Sequence, residues 1–166
     1  MGEEAHDLAA IYDRHAAALH GFLLNLTRSE AETKDLLQDL FVRLARKPGM
    51  LAGARDKRAF LFRVAHNLFI DHCRRHGARV RHHQAAAREG ETLFFEAAAS
   101  GLPPAEVEEA LRALPVEQRA VLHLKVWEEQ TFQEIARALR ISPNTAASRY
   151  RYALDKLRGL LRPHSG

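Results

Sequence analysis

Apolar residues recur at helical spacing through most of this 166-residue chain, and no stretch alternates as a half-buried β-strand does. In the first half the pattern predicts three helices: one ending near residue 27, one from about 30 to 47, and one from about 58 to 75 or 76. The second begins with residues 29–32 (SEAE), a capping box, and ends before Pro48 and Gly49. A loop with Gly53 is expected before the third helix.

The helical pattern fades after residue 77 and returns at Pro103 and Pro104. Residues 78–103 are predicted to be a flexible linker whose one apolar cluster is 93–95 (LFF). Four shorter helices follow, at about 105–113, 116–126 and two within 131–157. The predicted fold is therefore all-α, with a three-helix N-terminal bundle (1–77) and a four-helix C-terminal domain (104–166). We expect two separate lobes on this linker, not one fused globule.

Residues 131–157 are predicted to be a helix-turn-helix. Thr131 and Ser142 are suited to cap its two helices, with Pro143 at the first helical position. In the second helix Ala146, Tyr150, Ala153, Leu154 and Leu157 share an inward arc, and Asn144, Thr145, Ser148, Arg151 and Tyr152 share an outward one. Short polar side chains followed by arginine suit base edges and phosphates in a DNA groove. The alternative is an ordinary amphipathic helical hairpin.

Charge is strongly segregated along the chain. Residues 43–81 carry eleven Lys and Arg against two Asp, residues 89–134 carry ten acidic residues against three basic ones, and residues 137–162 carry seven basic residues against one Asp. Two basic regions separated by an acidic zone favour two contacts with a polyanion such as nucleic acid. The alternative is an unevenly charged, solvated surface. Arg119 and Lys125 are expected at the surface of the second domain.

The third helix has a broad apolar arc and a narrow polar edge. Its polar edge consists of Arg63, His66, Asn67 and Arg74. Such an edge beside aromatic rings can follow a phosphate backbone and hold an unstacked base. Phe60 and Phe62 are also compatible with a purely structural place in the core.

Other functional classes find little support in the sequence. Residues 72–76 (HCRRH) place two histidines on one helical face, but zinc usually needs four ligands and no second cluster has matching spacing. No phosphate-binding glycine loop or nucleophile motif occurs. We therefore expect no enzyme activity, no cofactor and no metal. The single cysteine, the acidic first residues and the lack of a long apolar run predict a cytoplasmic protein that is not inserted in a membrane.

Three segments in order resemble the extracytoplasmic-function (ECF) class of bacterial sigma factors. Residues 32–44 (ETKDLLQDLFVRL) resemble the family's second-region helix, which docks on RNA polymerase. Residues 58–71 (RAFLFRVAHNLFID) are similar to the stretch that opens and reads the −10 promoter element. The third resemblance is to the fourth region, which reads the −35 element. It consists of residues 111–115 (LRALP), 118–119, 134–136, 148–149 and 157–158.

The resemblance implies a role for each matching residue. The polymerase contacts would be Asp35, Gln38, Asp39 and Phe41. The contacts to separating −10 DNA would be Lys57, Arg58, Arg63, Asn67 and Arg74, with the loop 49–57 helping to form a base pocket. The −35 contacts would be Asn144, Thr145, Ser148, Arg149 and Arg151. Arg140 stands where relatives often have glycine, which implies an arginine with a left-handed backbone.

The implied function is a promoter-specificity subunit that binds core RNA polymerase and promoter DNA, both as duplex and as melted strand. An anti-sigma partner is also expected, bound at the second helix and the 93–95 cluster. The alternative function is a DNA-binding regulator that acts without polymerase and shares only the helix-turn-helix. That alternative predicts a homodimer on palindromic sites and leaves the first domain unexplained.

Overall fold

The computed structural model describes the backbone of residues 2–86 and 104–161, and the side chains of residues 8–76 and 105–161. Every regular element within these ranges is an α-helix. We call α1–α4 the N-terminal lobe and α5–α8 the C-terminal lobe. The helices are α1 (Gly2–Thr27), α2 (Glu30–Arg46), α3 (Pro48–Ala52), α4 (Lys57–Ala86), α5 (Pro104–Ala113), α6 (Val116–Val126), α7 (Phe132–Leu139) and α8 (Pro143–Leu160).

The junction between α1 and α2 follows the sequence signals in part. α1 ends at Thr27, and Ser29 caps α2 by accepting a hydrogen bond from the Glu32 N–H at 3.3 Å. The return bond of a full capping box is absent, because the Glu32 carboxylate lies 3.3 Å from His72 on α4. The Ser29 N–H instead donates to the Thr27 hydroxyl at 3.1 Å. This junction is therefore held by a contact with α4 as well as by its own hydrogen bonds.

Two elements differ from the prediction. The expected loop at 48–52 forms the short helix α3, because Pro48 fits a first helical turn and Lys47 separates it from α2. The third predicted helix, α4, has non-helical angles at His76 (φ −122°, ψ 16°) but continues to Ala86. Residues 78–86 of the predicted linker are thus helical, and the 93–95 cluster lies outside the described residues.

The two lobes pack against each other instead of standing apart. α1 contacts α6, and α4 contacts α7. One buried apolar cluster includes Phe22 and Phe62 of the N-terminal lobe together with Val121, Leu124 and Ile135 of the C-terminal lobe. The predicted all-α fold with two lobes is therefore confirmed, but the lobes dock on each other instead of standing apart, and we call this docked geometry the closed arrangement. None of the described helices is both long and apolar enough to cross a bilayer.

Candidate nucleic-acid interface

The helix-turn-helix is held by caps at both of its helices. Thr131 and Glu134 form a complete capping box, with hydrogen bonds of 3.1 and 2.9 Å. α7 ends at Arg140, whose left-handed backbone (φ 57°, ψ 48°) makes the turn that glycine usually makes. Ser142 Oγ then caps α8 by accepting from the Thr145 N–H at 3.0 Å. These local signals were all readable in the sequence, and the structure confirms them.

α8 presents the polar edge that the helical periodicity predicts. Ala146 and Ala153 are fully buried beneath it. Asn144 and Arg151 are exposed, and Thr145, Ser148 and Arg149 are partly exposed. Arg151 donates to the Ser148 hydroxyl at 3.4 Å, so these side chains lie one turn apart on a common face. Asn144 and Arg151 of this edge therefore face solvent in the closed arrangement.

The predicted −10 residues of α4 divide into two groups. Lys57, Asn67 and Arg74 are exposed. Arg58 and Arg63 are instead engaged with the C-terminal lobe. Phe62 is buried as a core residue, whereas Phe60 is only partly buried and packs at the edge of the core.

Arg58 and Arg63 reach backbone oxygens and a carboxylate across the lobe boundary. Arg58 donates to the carbonyl of Glu128, and to its carboxylate oxygen at 3.0 Å. Arg63 donates through Nε and Nη2 to the carbonyl of Arg137, at 3.0 and 2.9 Å. These contacts could not be predicted from the sequence, because they depend on how the lobes dock.

His66 lies on the same face of α4, between the two lobes. Burial and, to a smaller extent, the nearby Arg149 guanidinium together lower its pKa to about 4, while Glu117 acts in the opposite direction. His66 is therefore neutral at physiological pH. The influence of Arg149 shows that a predicted −35 residue faces the predicted −10 helix.

A cavity of about 590 Å³ opens beside α3 and the start of α4. The predicted base pocket of loop 49–57 coincides with this cavity. Arg137 adds a residue from the C-terminal lobe to its wall. The cavity is lined by Met50, Gly53, Ala54, Arg55, Asp56, Ala59, Phe60, Arg63 and Arg137.

The predicted polymerase face lies on the solvent side of α2. Asp35 and Gln38 are exposed, and Asp39 and Phe41 are partly exposed. Phe41 contacts Tyr12 edge-on, with ring centroids 4.9 Å apart. Tyr12 shares the apolar stripe of α1 in the sequence but is 50% exposed, because it lies at the margin of that stripe. It therefore extends this face by one aromatic ring.

Several buried polar residues between the lobes were not foreseen. Arg119, expected at the surface, is buried and donates to the Asn25 carbonyl at 2.9 Å. Burial and, to a smaller extent, the nearby Arg28 and Arg112 together lower its pKa to about 10. Arg28 is equally buried and pairs with the carboxylate of Glu108 on α5. Nothing in the spacing of these residues distinguishes them from surface charges.

His123 is the fully buried centre of this polar seam. The Asn25 amide lies 3.2 Å from its Nδ1, and its Nε2 lies 3.8 Å from the Glu128 carboxylate. The Asn25 amide nitrogen can only donate, so Nδ1 accepts and the ring proton is on Nε2, on the side of Glu128. Burial lowers the pKa of His123. The neutral ring stacks on Trp127, with ring centroids 5.4 Å apart.

Residues 72–76 do not form a larger ligand set. The rings of His72 and His76 lie 4.7 Å apart, and Glu32 is the partner of His72. Burial raises the pKa of the Cys73 thiol, which disfavours the thiolate that zinc needs. Among the described residues, no group of three or more His, Cys, Asp or Glu is placed to hold a metal ion.

Comparisons with known proteins agree with this architecture. Residues 11–79 match the Sigma-70 region 2 family, and residues 105–157 match the Sigma-70 region 4 family. The chain is 34% identical over 159 residues to the ECF RNA polymerase sigma factor SigL of Mycobacterium tuberculosis, covering 93% of this chain and 89% of SigL. It is 27% identical over 164 residues to SigK of Mycobacterium bovis, covering 94% and 88%.

The fold is also that of a solved sigma factor. RpoE of Bartonella quintana, determined in complex with the anti-sigma factor NepR, aligns with a TM-score of 0.74 at 21% identity, over 95% of this chain and 98% of RpoE. The match spans both lobes. Two region-specific matches in the right order, and a relative above 30% identity over nearly the full length, establish that this chain belongs to the ECF RNA polymerase sigma factors.

Proposed function

We propose that this chain binds core RNA polymerase and directs it to promoters by reading a −35 element as duplex and a −10 element as melted strand. The observation that carries this proposal is the exposed polar edge of α8. Arg140 makes the turn before this helix, Ser142 caps it, and its opposite side is buried at Ala146 and Ala153. A second surface of different chemistry, acidic and aromatic, lies on α2 of the other lobe. The chain thus has one surface suited to bind DNA, on α8, and one suited to bind a protein, on α2.

The acidic face of α2 is proposed to meet a basic helical surface of polymerase. Asp35 and Asp39 supply the charge, Gln38 supplies hydrogen bonds, and the Phe41–Tyr12 ring pair supplies apolar area. Charge complementarity of this kind accelerates encounter and fixes register. The polymerase holds the catalytic groups, so the chain needs none of its own and acts where the polymerase acts, in the cytoplasm.

Asn144, Thr145, Ser148, Arg149 and Arg151 are proposed to read and clamp the −35 duplex. Lys57, Arg58, Arg63, Asn67 and Arg74 are proposed to follow the melted −10 strand. Asn67 is the residue proposed to hold a displaced base, and the cavity beside α3 is the proposed place for that base. These roles assign residues 1–77 to the −10 and polymerase functions and residues 104–166 to the −35 function, on either side of the 78–103 segment.

Reconstitution tests the proposal. Purified chain is mixed with bacterial core RNA polymerase and a pool of upstream genomic fragments, and transcript starts are mapped. Starts that share two sequence elements are expected, and they should disappear when the chain is left out. No binding to core polymerase, or a homodimer on palindromic duplex sites without polymerase, would overturn it.

Charge reversal tests the α2 face. Asp35→Arg combined with Asp39→Arg is expected to weaken core binding at least about tenfold, because two attractive pairs become repulsive. Glu30→Lys is the control for Asp35→Arg alone, since each reverses one exposed carboxylate of α2, but Glu30 pairs with His20 at 2.9 Å at the start of the helix. Equal loss in both variants would contradict the proposed face.

The Bartonella quintana RpoE was solved with an anti-sigma factor. We propose that an anti-sigma partner binds this chain as well, at the same α2 face that polymerase uses. A competition assay tests this proposal. Core polymerase and a co-purified inhibitor compete for the wild type or for the variant with Asp35→Arg and Asp39→Arg, and the affinity of the inhibitor for each is measured. An inhibitor whose binding is unaffected by the α2 substitutions would contradict it.

A further inference from the structure

The turn between α7 and α8 carries a side chain that the turn itself does not need. Arg140 has a left-handed backbone (φ 57°, ψ 48°), a conformation in which glycine is unstrained and a residue with a Cβ is crowded. The backbone bonds of the turn run from the N–H groups of Arg140 and Ile141 to the Ala136 carbonyl, and glycine would make them equally well. The arginine therefore strains the free protein without holding the turn.

The neighbours of Arg140 show on which side of the turn it lies. Ile141 packs against the buried apolar cluster, whereas Arg140 and Ser142 on either side of it are exposed. The Ser142 hydroxyl lies 2.9 Å from the hydroxyl of Thr145, in the first turn of α8. The Arg140 side chain is therefore on the solvent side of the turn, immediately before the polar edge of α8 begins.

The charge along this part of the chain is strongly positive. Residues 137–158 carry six Lys and Arg and one Asp. That residue, Asp155, pairs with Arg158, and the nearest carboxylate before the turn, that of Glu134, accepts from the Thr131 N–H at 2.9 Å. The described residues thus give Arg140 no acidic partner. A guanidinium placed among other cations is more favourable beside a polyanion than in the free protein.

A DNA phosphate is the partner that fits this position. In a helix-turn-helix the first helix crosses the DNA backbone and the second enters the major groove. Arg140 lies where the first helix, α7, gives way to the second, α8, and hence at the border of the groove. A guanidinium forms charge-assisted hydrogen bonds with phosphate oxygens, often two at once, which fixes orientation as well as affinity.

We propose that Arg140 binds a phosphate of the upstream duplex and thereby fixes how α8 enters the groove. The strained backbone and the like-charged surroundings destabilise the free chain, and the phosphate contact offsets both once DNA is bound. This inference rests on the proposed function, which assigns the helix-turn-helix to duplex DNA. It adds a contact made before α8 begins to the contacts proposed for α8 itself.

Arg140→Gly tests the proposal because duplex binding and stability should change in opposite directions. Loss of the guanidinium should weaken binding of the full chain to a fluorescein-labelled duplex at least about threefold at low salt, and make the plot of log K against log salt shallower by about one unit. The duplex can have any mixed sequence, since a phosphate contact carries no sequence information. The same variant should unfold at a higher temperature than wild type, because glycine relieves the strain. A residue that served folding alone would lose stability when replaced.

Two further variants resolve the chemistry, and a third is the control. Arg140→Ala should bind the duplex as weakly as Arg140→Gly, whereas Arg140→Lys keeps the charge and should recover most of the salt slope. Arg46→Ala is the matched control for the loss of one positive charge, because Arg46 is an exposed arginine at the end of α2, in the other lobe. It should leave duplex affinity and salt slope close to wild type.

Four outcomes would overturn the phosphate contact. The first is a wild type that binds the duplex and an Arg140→Gly variant with the same affinity and salt slope, which would leave the proposed function intact. The second is an equal loss in Arg46→Ala, which would indicate a diffuse positive field. The third is a loss confined to duplexes of one sequence, which would assign the guanidinium to a base. The fourth is a wild type that binds no duplex at low salt, which would overturn the proposed −35 function as well.

Discussion

Arg140 shows how one residue sets the geometry of a DNA-reading unit. Its left-handed backbone turns the chain between α7 and α8, and the N–H groups of Arg140 and Ile141 both meet the Ala136 carbonyl. An arginine Cβ is crowded in this conformation, by about 1 kcal/mol relative to glycine. The side chain is exposed and makes no ion pair among the described residues. Among the described residues, no ion pair of the Arg140 side chain offsets this strain.

Arg140→Gly is expected to stabilise the chain by about 1 kcal/mol, and to raise Tm by about 2–4 °C. Calorimetry of the full chain measures this. Arg140→Ala is the control, because it removes the charge but keeps the Cβ. If the alanine variant gains as much as the glycine variant, charge and not backbone strain is responsible.

Individual residues also show what can be predicted from a sequence and what cannot. Thr131 and Ser142 could be placed correctly because a cap depends on neighbours within four residues, whereas the turn at Arg140 was implied by the family resemblance. Arg119 and Arg28 could not be placed, since a buried arginine and an exposed one have the same local sequence preferences. Their burial depends on Asn25 and Glu108, which lie 80 or more residues away.

At the scale of the element, α8 follows its pattern closely. Periodicity alone divided its faces correctly, because one side packs on α6 and α7 and the other meets solvent. α4 is harder to read. Its apolar arc is so broad that it packs on α1 and α2 and also on α7, so part of its polar edge turns toward a neighbour. The sequence therefore predicted which residues of α4 are polar but not which of them are free.

The exposed edge of α8 makes a prediction about duplex binding. Arg151→Ala should weaken binding of the chain to a duplex carrying the −35 element by about 1–3 kcal/mol if the guanidinium reads a base. If it contacts a phosphate instead, the plot of log K against log salt should become shallower by about one unit. Fluorescence anisotropy across a salt series measures both quantities.

Arg158→Ala is the matched control for that experiment. Arg158 is an arginine of the same helix, but it lies in the last turn and pairs with Asp155 at 3.5 Å, where both side chains are mostly exposed. Its removal should change neither affinity nor salt slope beyond a small uniform loss. An equal effect of the two substitutions would show that α8 contributes only a diffuse positive field.

The docking of the two lobes is harder to predict from the sequence than the positions of the helices. Helix positions follow from periodicity and caps, but docking of the lobes depends on the summed complementarity of α1 with α6 and of α4 with α7. The linker pattern predicted two lobes that stand apart, and it contained no signal for the contact between them. The stripe of α1 already supplies Phe22 and Leu19 to the shared cluster, yet an inward stripe looks the same whether it meets one lobe or two.

Docking gives the molecule a predicted response to acid. His123 and His66 both lie between the lobes and both have lowered pKa values, to about 4 for His66. A histidine whose pKa is lower in the folded state binds fewer protons there than in the unfolded state, so stability falls as pH drops below about 6.5. Glu128, with its lowered pKa, acts in the same direction at still lower pH, since its stabilising charge is lost on protonation. The closed arrangement should therefore weaken between pH 7.5 and 5.0.

His66→Gln separates this effect from general acid denaturation. The variant removes a titrating ring that is faced by Arg149 and Glu117 but keeps a polar side chain. On acidification from pH 7.5 to 5.0 it should retain about 1–2 kcal/mol more of its stability than wild type, which corresponds to a Tm decrease smaller by at least roughly 2 °C. Calorimetry at the two pH values measures the difference. Parallel Tm curves for wild type and variant would show that His66 does not titrate against the docked lobe, and that the acid response lies elsewhere.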